Sequence, residues 1–85
     1  MPVKLLYFAW VREKIGKAEE IVDLPPTLAT VADLFAWLKD RGPEYAEALS
    51  RPGVVRAAID KKHVPAAAPI AGAHEIALFP PVTGG

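Results

Sequence analysis

One amphipathic stretch sits in the middle of a chain otherwise built from short β-prone runs, and this placement constrains the fold more than any other feature. In "TVADLFAWLKDRG", residues 30–42, Val31, Leu34, Phe35 and Leu38 fall at i, i+3, i+4 and i+7, one face of a helix. Thr30 stands as an N-cap, and Asp33 is placed three residues on to complete a capping box. Gly42 is positioned to stop this helix at C′, with Pro43 opening a new segment. "PEYAEALS" then reads as a short second helix.

Two strand candidates lie on either side of the main helix. "VKLLYFA", Val3 to Ala9, and "AEEIVDL", Ala18 to Leu24, are joined by the short link "WVREKIG" and read as a hairpin. After the helices come "VVRAAID", Val54 to Asp60, and "EIALF", Glu75 to Phe79. Parity puts Val55, Ala57 and Ile59 on one face of the third strand and Arg56 and Asp60 on the other. Between the last two strands lies a loop rich in Pro, Ala and Gly, with a brief edge strand near Val64. The first strand is apolar on both parities, which suits a central position. The order β-β-α-β-β predicts an α+β, ubiquitin-like β-grasp fold, a mixed sheet packed on one main helix. Residues 1–79 form that domain and 80–85 an extended C-terminal Gly-Gly tail.

Composition narrows the function. Eighty-five residues make one small domain, and 52% apolar residues are enough for its core. Ten basic residues balance ten acidic ones, which argues against nucleic acid as a partner. The absence of Cys excludes disulfides, zinc–thiolate sites and a thiol nucleophile. His63 and His74 lie in loop-like sequence with no third ligand in metal spacing, so no metal is expected. The first residues lack a signal peptide, and no run approaches a membrane span, so a cytoplasmic protein with no membrane partner is expected. The chain opens at Met1 without a tag, so the Gly-Gly end is expected to be native.

Strand parity and the C-terminus carry the functional argument. Lys4 and Glu75 mark the solvent side of the first and last strands, which puts Leu6, Phe8, Ala77 and Phe79 on the outer sheet face. If the two strands are neighbours, these residues make an exposed apolar patch, and such patches mark binding surfaces. The alternative is a loop after Asp60 folding over them. Pro80 and Pro81 fix φ and lack N–H groups, so they end the strand and project the chain from the sheet. Val82 to Gly85, fully extended, reach about 13 Å at roughly 3.3 Å per residue. Gly84 and Gly85 leave a thread thin enough to enter a narrow pocket and present its terminal carboxylate. Asp33 and Asp40 read as a solvated helix face, Arg12 and Glu13 as a local pair, Lys61 and Lys62 as a turn, and Trp37 as half-buried. Trp10 either covers the hairpin or touches a partner.

"LLYFAWVREKIG" near the start and "EIALFPPVTGG" at the end resemble the small subunit of molybdopterin synthase. The resemblance covers essentially the whole chain, with "FPPVTGG" its specific part and Phe8, Ala9, Arg12 and Glu13 in support. It implies a sulfur carrier, a sulfur-donating subunit with no catalysis of its own. An adenylating enzyme related to ubiquitin activators joins AMP to the Gly85 carboxylate, and sulfur displaces AMP to leave a thiocarboxylate. The chain itself holds no cofactor and meets ATP and AMP only through that enzyme. The tail, Val82, Thr83 and Gly84 with Gly85, then enters the large subunit, where sulfur passes to cyclic pyranopterin monophosphate. The resemblance implies a heterotetramer and assigns partner contacts to Phe8, Phe79, Arg12, Pro80 and Pro81. Asp60 stands where the family often has Asn, His63 where an apolar contact residue is common, and Ala73-His74 where a Gly-Asp-Glu turn is usual. Carriers for thiazole or tRNA thiolation, a ubiquitin-like protein modifier, and a passive interaction module are the alternatives.

Overall fold

The computed structural model describes residues 2–51 and 54–81. The elements are β1 (Pro2–Tyr7), α1 (Ala9–Ile15), β2 (Glu19–Asp23), α2 (Val31–Lys39), α3 (Pro43–Ala48), β3 (Arg56–Ile59), β4 (Lys62–Val64) and β5 (Glu75–Phe79). The described residues form one five-stranded mixed sheet in the order β2-β1-β5-β3-β4. β1 runs antiparallel to β2 and parallel to β5, and β3 is antiparallel to both β5 and β4. The two strands nearest the chain ends are thus paired inside the sheet, as a strand apolar on both parities requires. β4 is the brief edge strand expected near Val64.

The sheet packs α2 on one face. Val3, Leu5, Tyr7, Val22, Ala57, Ile76 and Leu78 line that face, and Val31, Leu34 and Leu38 of α2 are buried in the same core. The arrangement is the ubiquitin-like β-grasp that the element order predicts. The capping box is present: the Asp33 N–H donates to Thr30 Oγ1 at 3.2 Å, and Asp33 Oδ2 accepts from the Thr30 N–H at 3.1 Å. Two further first-turn donors of α2 are satisfied by the Pro-Ala-Gly loop, Val31 N–H by the Ala68 carbonyl at 3.0 Å and Ala32 N–H by that of Ala66 at 2.9 Å. This loop is therefore spent on the helix and does not fold across the outer sheet face.

Three expectations need correction. The first strand ends at Tyr7 and not at Ala9, and the short link that follows it is a helix, α1, beginning at Ala9, although the β1–β2 pairing it connects is antiparallel as expected. Val11 and Ile15, four residues apart, are buried beneath it, and Gly16 at φ 90° closes it by donating its N–H to the Arg12 carbonyl at 2.8 Å. Gly42 does not terminate α2. Asp40 caps that helix, while Gly42 at φ 165° is extended and N-caps α3, with Pro43 at its first position. Finally, the turn after β3 centres on Asp60 and Lys61, not Lys61 and Lys62. Ile59 pairs with Lys62, and both turn residues have positive φ, 48° and 75°.

Candidate functional site

The outer face of the sheet follows from register. Cross-strand partners share a face, so Ile21, Lys4 and Glu75 form one row, and Glu19, Leu6, Ala77, Ala58 and His63 the next. Arg56 and Phe79 form a third row at the end where β5 stops. Phe8 lies one step beyond the Tyr7–Leu78 register, and its N–H donates to the Leu78 carbonyl at 3.1 Å. Phe8 therefore extends the parallel ladder to stand beside Phe79. Ala58 is buried but belongs to this outer row by register, and it lies outside the core cluster.

The parity reading holds at each predicted position. Leu6, Ala77 and Phe79 are half-buried, while Phe8 is 47% exposed and Ile21 74%. The apolar row is framed by polar groups: Lys4 Nζ lies 3.1 Å from Glu19 Oε2, and Arg56 is exposed opposite Phe79. Arg12 lies one helical turn past Phe8, donating its N–H to the Phe8 carbonyl at 3.3 Å, and its side chain is exposed. Arg12 and Glu13 do not form the expected local pair among the described residues. Ala9, between Phe8 and the body of α1, takes a left-handed φ of 53°. That conformation costs a non-glycine residue about 1 kcal/mol or more and turns the chain sharply out of β1 just after Phe8.

β5 ends at Phe79, and Pro80 and Pro81 follow it outside any strand, both half-buried. Because β5 is the middle strand, the chain leaves the sheet centrally, between the Phe8 end of β1 and the Arg56 start of β3. Val82, Thr83, Gly84 and Gly85, the tail assigned to the chemistry, lie outside the described residues.

The structure gives His63 a neighbour and adds a residue, Glu20, that the sequence did not single out. The ring of His63 lies 4.9 Å from that of Phe79, so this exposed histidine covers one side of the patch. The signal for it was the β3–β4 register, which the sequence gives only once the two-residue turn is known. Glu20 is the centre of a polar cluster. Its Oε2 accepts from the Tyr7 and Tyr45 hydroxyls, both at 2.7 Å, and pairs with Arg41 Nη1 at 3.1 Å, while Oε1 pairs with Lys17 at 3.4 Å. The Arg41 guanidinium also stacks over Tyr45 and Trp37, 5.0 and 5.3 Å from their ring centres. Burial pushes the Glu20 carboxyl up, but the Tyr45, Tyr7 and Arg41 hydrogen bonds outweigh it and hold the group below its ordinary value. Tyr7 is raised, by burial first and then by the Glu20 hydrogen bond and charge. This cluster fastens β1 and β2 to the end of α2 and to α3. It supplies no open reacting atom.

At the opposite end of the sheet, Asp60 Oδ1 accepts from the His74 and Glu75 N–H groups at 3.1 and 3.0 Å. It ties the β3–β4 turn to the start of β5. No group of three or more His, Cys, Asp or Glu side chains could hold a metal ion among the described residues. Nor is any helix among them long and apolar enough to cross a membrane. What the geometry offers is an outward row of half-buried and exposed apolar side chains beside the point where the chain leaves β5.

Residues 5–85 match the ThiS family. The chain is 35% identical over 83 residues to the molybdopterin synthase sulfur carrier subunit of Haemophilus influenzae, covering 98% of this chain and 99% of that one. It is 38% identical over 84 residues to the protein of the same name from Escherichia coli, again covering 98% and 99%. Among solved structures, the putative molybdopterin converting factor, subunit 1, from Pyrococcus furiosus superposes with a TM-score of 0.73 at 27% identity, over 96% of this chain and 99% of that one. A chain in the complex of subunits 1 and 2 of the molybdopterin-converting factor from Helicobacter pylori shares the fold, with a TM-score of 0.63 at 21% identity over all of both chains.

Proposed function

The chain belongs to the ThiS family, and on that premise we propose that it is the sulfur carrier subunit of a molybdopterin synthase. The observation that carries this reading is the 35–38% identity, over nearly the whole chain, to proteins of that name. The central exit of the chain from β5, beside an outward apolar row, supports it.

In the proposed cycle the Gly85 carboxylate attacks the α-phosphorus of ATP on an adenylating partner, and pyrophosphate leaves. The acyl-adenylate is a far better electrophile than a carboxylate. Sulfide attacks its carbonyl carbon, the C–O bond to AMP breaks, AMP leaves, and a thiocarboxylate remains. The tail then enters the large subunit of the synthase, its sulfur bonds to cyclic pyranopterin monophosphate, and water cleaves the acyl C–S bond, which leaves the sulfur on the pterin and returns Gly85 to a carboxylate. A dithiolene holds two sulfur atoms, so two loaded carriers are consumed per product, which fits the heterotetramer implied by the resemblance. The H. pylori complex of the two subunits supports a large-subunit partner. Phe8, Phe79, Arg12, Pro80 and Pro81 serve as the docking face, and Val82 to Gly84 as the thread. The cytoplasm is the proposed site of action.

Reconstitution with the adenylating enzyme, ATP and sulfide, followed by intact-mass measurement, tests the reading. A gain of one sulfur for one oxygen at Gly85 is expected. A chain that keeps its carboxylate, or that appears in isopeptide-linked adducts, refutes it.

A further inference from the structure

We propose that the cleft between α1 and α3 is a second docking surface, which receives an acidic segment of the large-subunit partner. The proposal rests on the sulfur-carrier reading and names a contact beyond the outer sheet face. The cleft encloses about 370 Å³ and is lined by Trp10, Lys14, Glu47, Ala48, Ser50 and Arg51. Ala48 is part of the buried core, and the half-buried Trp10 packs against that core. A second depression beside Ala9, Arg12 and Glu13 also uses Trp10 as a wall. The indole thus stands as a ridge between two hollows, anchored below and open above.

Charge selects the occupant. Lys14 Nζ lies 3.1 Å from Glu47 Oε1, a pair that bridges the two helices and cancels itself. Arg51 is exposed and has no ionic partner among the described residues. In a chain of zero net charge, the cleft is left with a cationic surplus, which suits a carboxylate from a partner. Arginine beside an anchored aromatic is also the composition that dominates binding hot spots. A small metabolite fits less well. The volume is near the lower end for ligand pockets, and no convergent set of buried polar groups is present among its described lining residues to orient one.

Position supplies the remaining argument. Trp10 follows Phe8 by two residues, and the Phe8 backbone is bonded to Leu78 beside the root of the tail. Arg51 stands on the connection into β3, whose first residue, Arg56, pairs with Phe79. A protein that takes the tail while resting on Phe8 and Phe79 is thereby brought to the mouth of the cleft.

The test is calorimetric titration of the purified large subunit into thiocarboxylated wild-type chain, a Lys14→Glu/Arg51→Glu variant, and Lys61→Glu/Lys62→Glu as a matched double reversal at the far end of the sheet. The cleft double variant is expected to bind at least about tenfold more weakly, with a shallower salt dependence, while Lys61→Glu/Lys62→Glu matches wild type. In a Trp37→Phe background, which leaves Trp10 as the one indole, emission is expected to shift on binding. Equal affinities, or Trp10 emission that does not move, overturn the cleft. If the double variant loses its cooperative melt, Lys14→Gln/Arg51→Gln decides by the same affinity criterion. Failure to load sulfur on Gly85 sinks the carrier reading, and this contact with it. Normal loading and binding with an indifferent cleft sinks only the cleft.

Discussion

Phe8 donates its backbone N–H to the Leu78 carbonyl at 3.1 Å, which ties an exposed aromatic residue to the last strand one residue before that strand ends at Phe79. The bond belongs to the parallel β1–β5 ladder, so the position of Phe8 relative to the tail root is set by the sheet and not by a loop. The left-handed Ala9 immediately after it ends that ladder and swings α1 aside. The neighbouring Phe8 and Phe79 are thereby held by sheet hydrogen bonds directly at the point where the chain leaves β5.

Replacing Phe8 by Asp should separate docking from stability. The ring is half outside, so its loss removes little core packing. Affinity for the large subunit should drop by roughly 10–100-fold, the loss usual for a central aromatic contact, while the melting temperature stays close to wild type. Phe79→Asp should behave alike, with a somewhat larger thermal cost because Phe79 is half-buried under His63. Titration calorimetry alongside thermal circular dichroism measures both. A variant that melts early but binds normally would contradict the outward placement.

Glu20 makes a second, purely structural prediction. Glu20→Ala leaves the Tyr7 and Tyr45 hydroxyls and Arg41 without their shared acceptor. It should cost roughly 2–3 kcal/mol, the scale for losing hydrogen bonds to a charged group in a half-buried site. The midpoint of urea unfolding should fall with an unchanged slope.

The same carboxylate contributes to acid sensitivity. Its folded-state pKa is lowered, so the unfolded chain binds more protons as the solution becomes acidic. The stabilisation is complete above the ordinary carboxylate range, about pH 4–5, and is lost as pH falls through the depressed folded value. Asp33, held down by the Ala29 and Thr30 N–H groups, acts with the same sign. So does Asp60, where the Glu75 and His74 N–H groups outweigh the upward push of burial. Glu20→Gln should flatten the decline of stability between about pH 5 and 3, read from urea midpoints across that interval. An unchanged slope would remove Glu20 from the account.

Much of this was legible in the chain, for identifiable reasons. The apolar stripe and capping residues of α2 are local signals, and they gave the helix and its N-terminus. Alternation in β1 and β5 gave the outer face, because a strand's period of two leaves no other assignment once Lys4 and Glu75 are placed. What escaped depends on tertiary context. α1 is only seven residues long, and two buried positions, Val11 and Ile15, are too few to distinguish a helix from a tight link. Gly42 has the composition of a helix stop, but Pro43 at the start of α3 recruits it as an N-cap. The Glu20 cluster joins residues separated by 13 to 25 positions, and no local pattern records it.

The β3–β4 turn offers a gain of stability. Lys61 sits at φ 75°, a region that disfavours side chains, and the two-residue turn with both φ positive favours Asn-Gly. Lys61→Gly should relieve about 1 kcal/mol of strain, raising the melting temperature by roughly 4–8 °C for a domain of this size. Asp60→Asn should retain the acceptor used by the His74 and Glu75 N–H groups. A drop in melting temperature for Lys61→Gly would show that unfolded-state freedom outweighs the strain.

Removing Gly84 and Gly85 tests where the chemistry resides. The last strand ends at Phe79, five residues before Gly84, and the core is complete without the two glycines, so the truncated chain should melt with the full-length protein. Its new terminus, Thr83, carries a β-branched side chain and ends two residues short, roughly 7 Å at extended spacing. Loading by the adenylating enzyme should fall to background, because the carbonyl no longer reaches the reacting nucleotide. Binding to the large subunit should weaken far less than with Phe8→Asp, since the docking face is intact. Intact-mass analysis after reconstitution, paired with titration of the large subunit, separates the two effects. Persistent sulfur loading on the truncated chain would show that the terminal glycines are dispensable and that the thread does not act as the carrier.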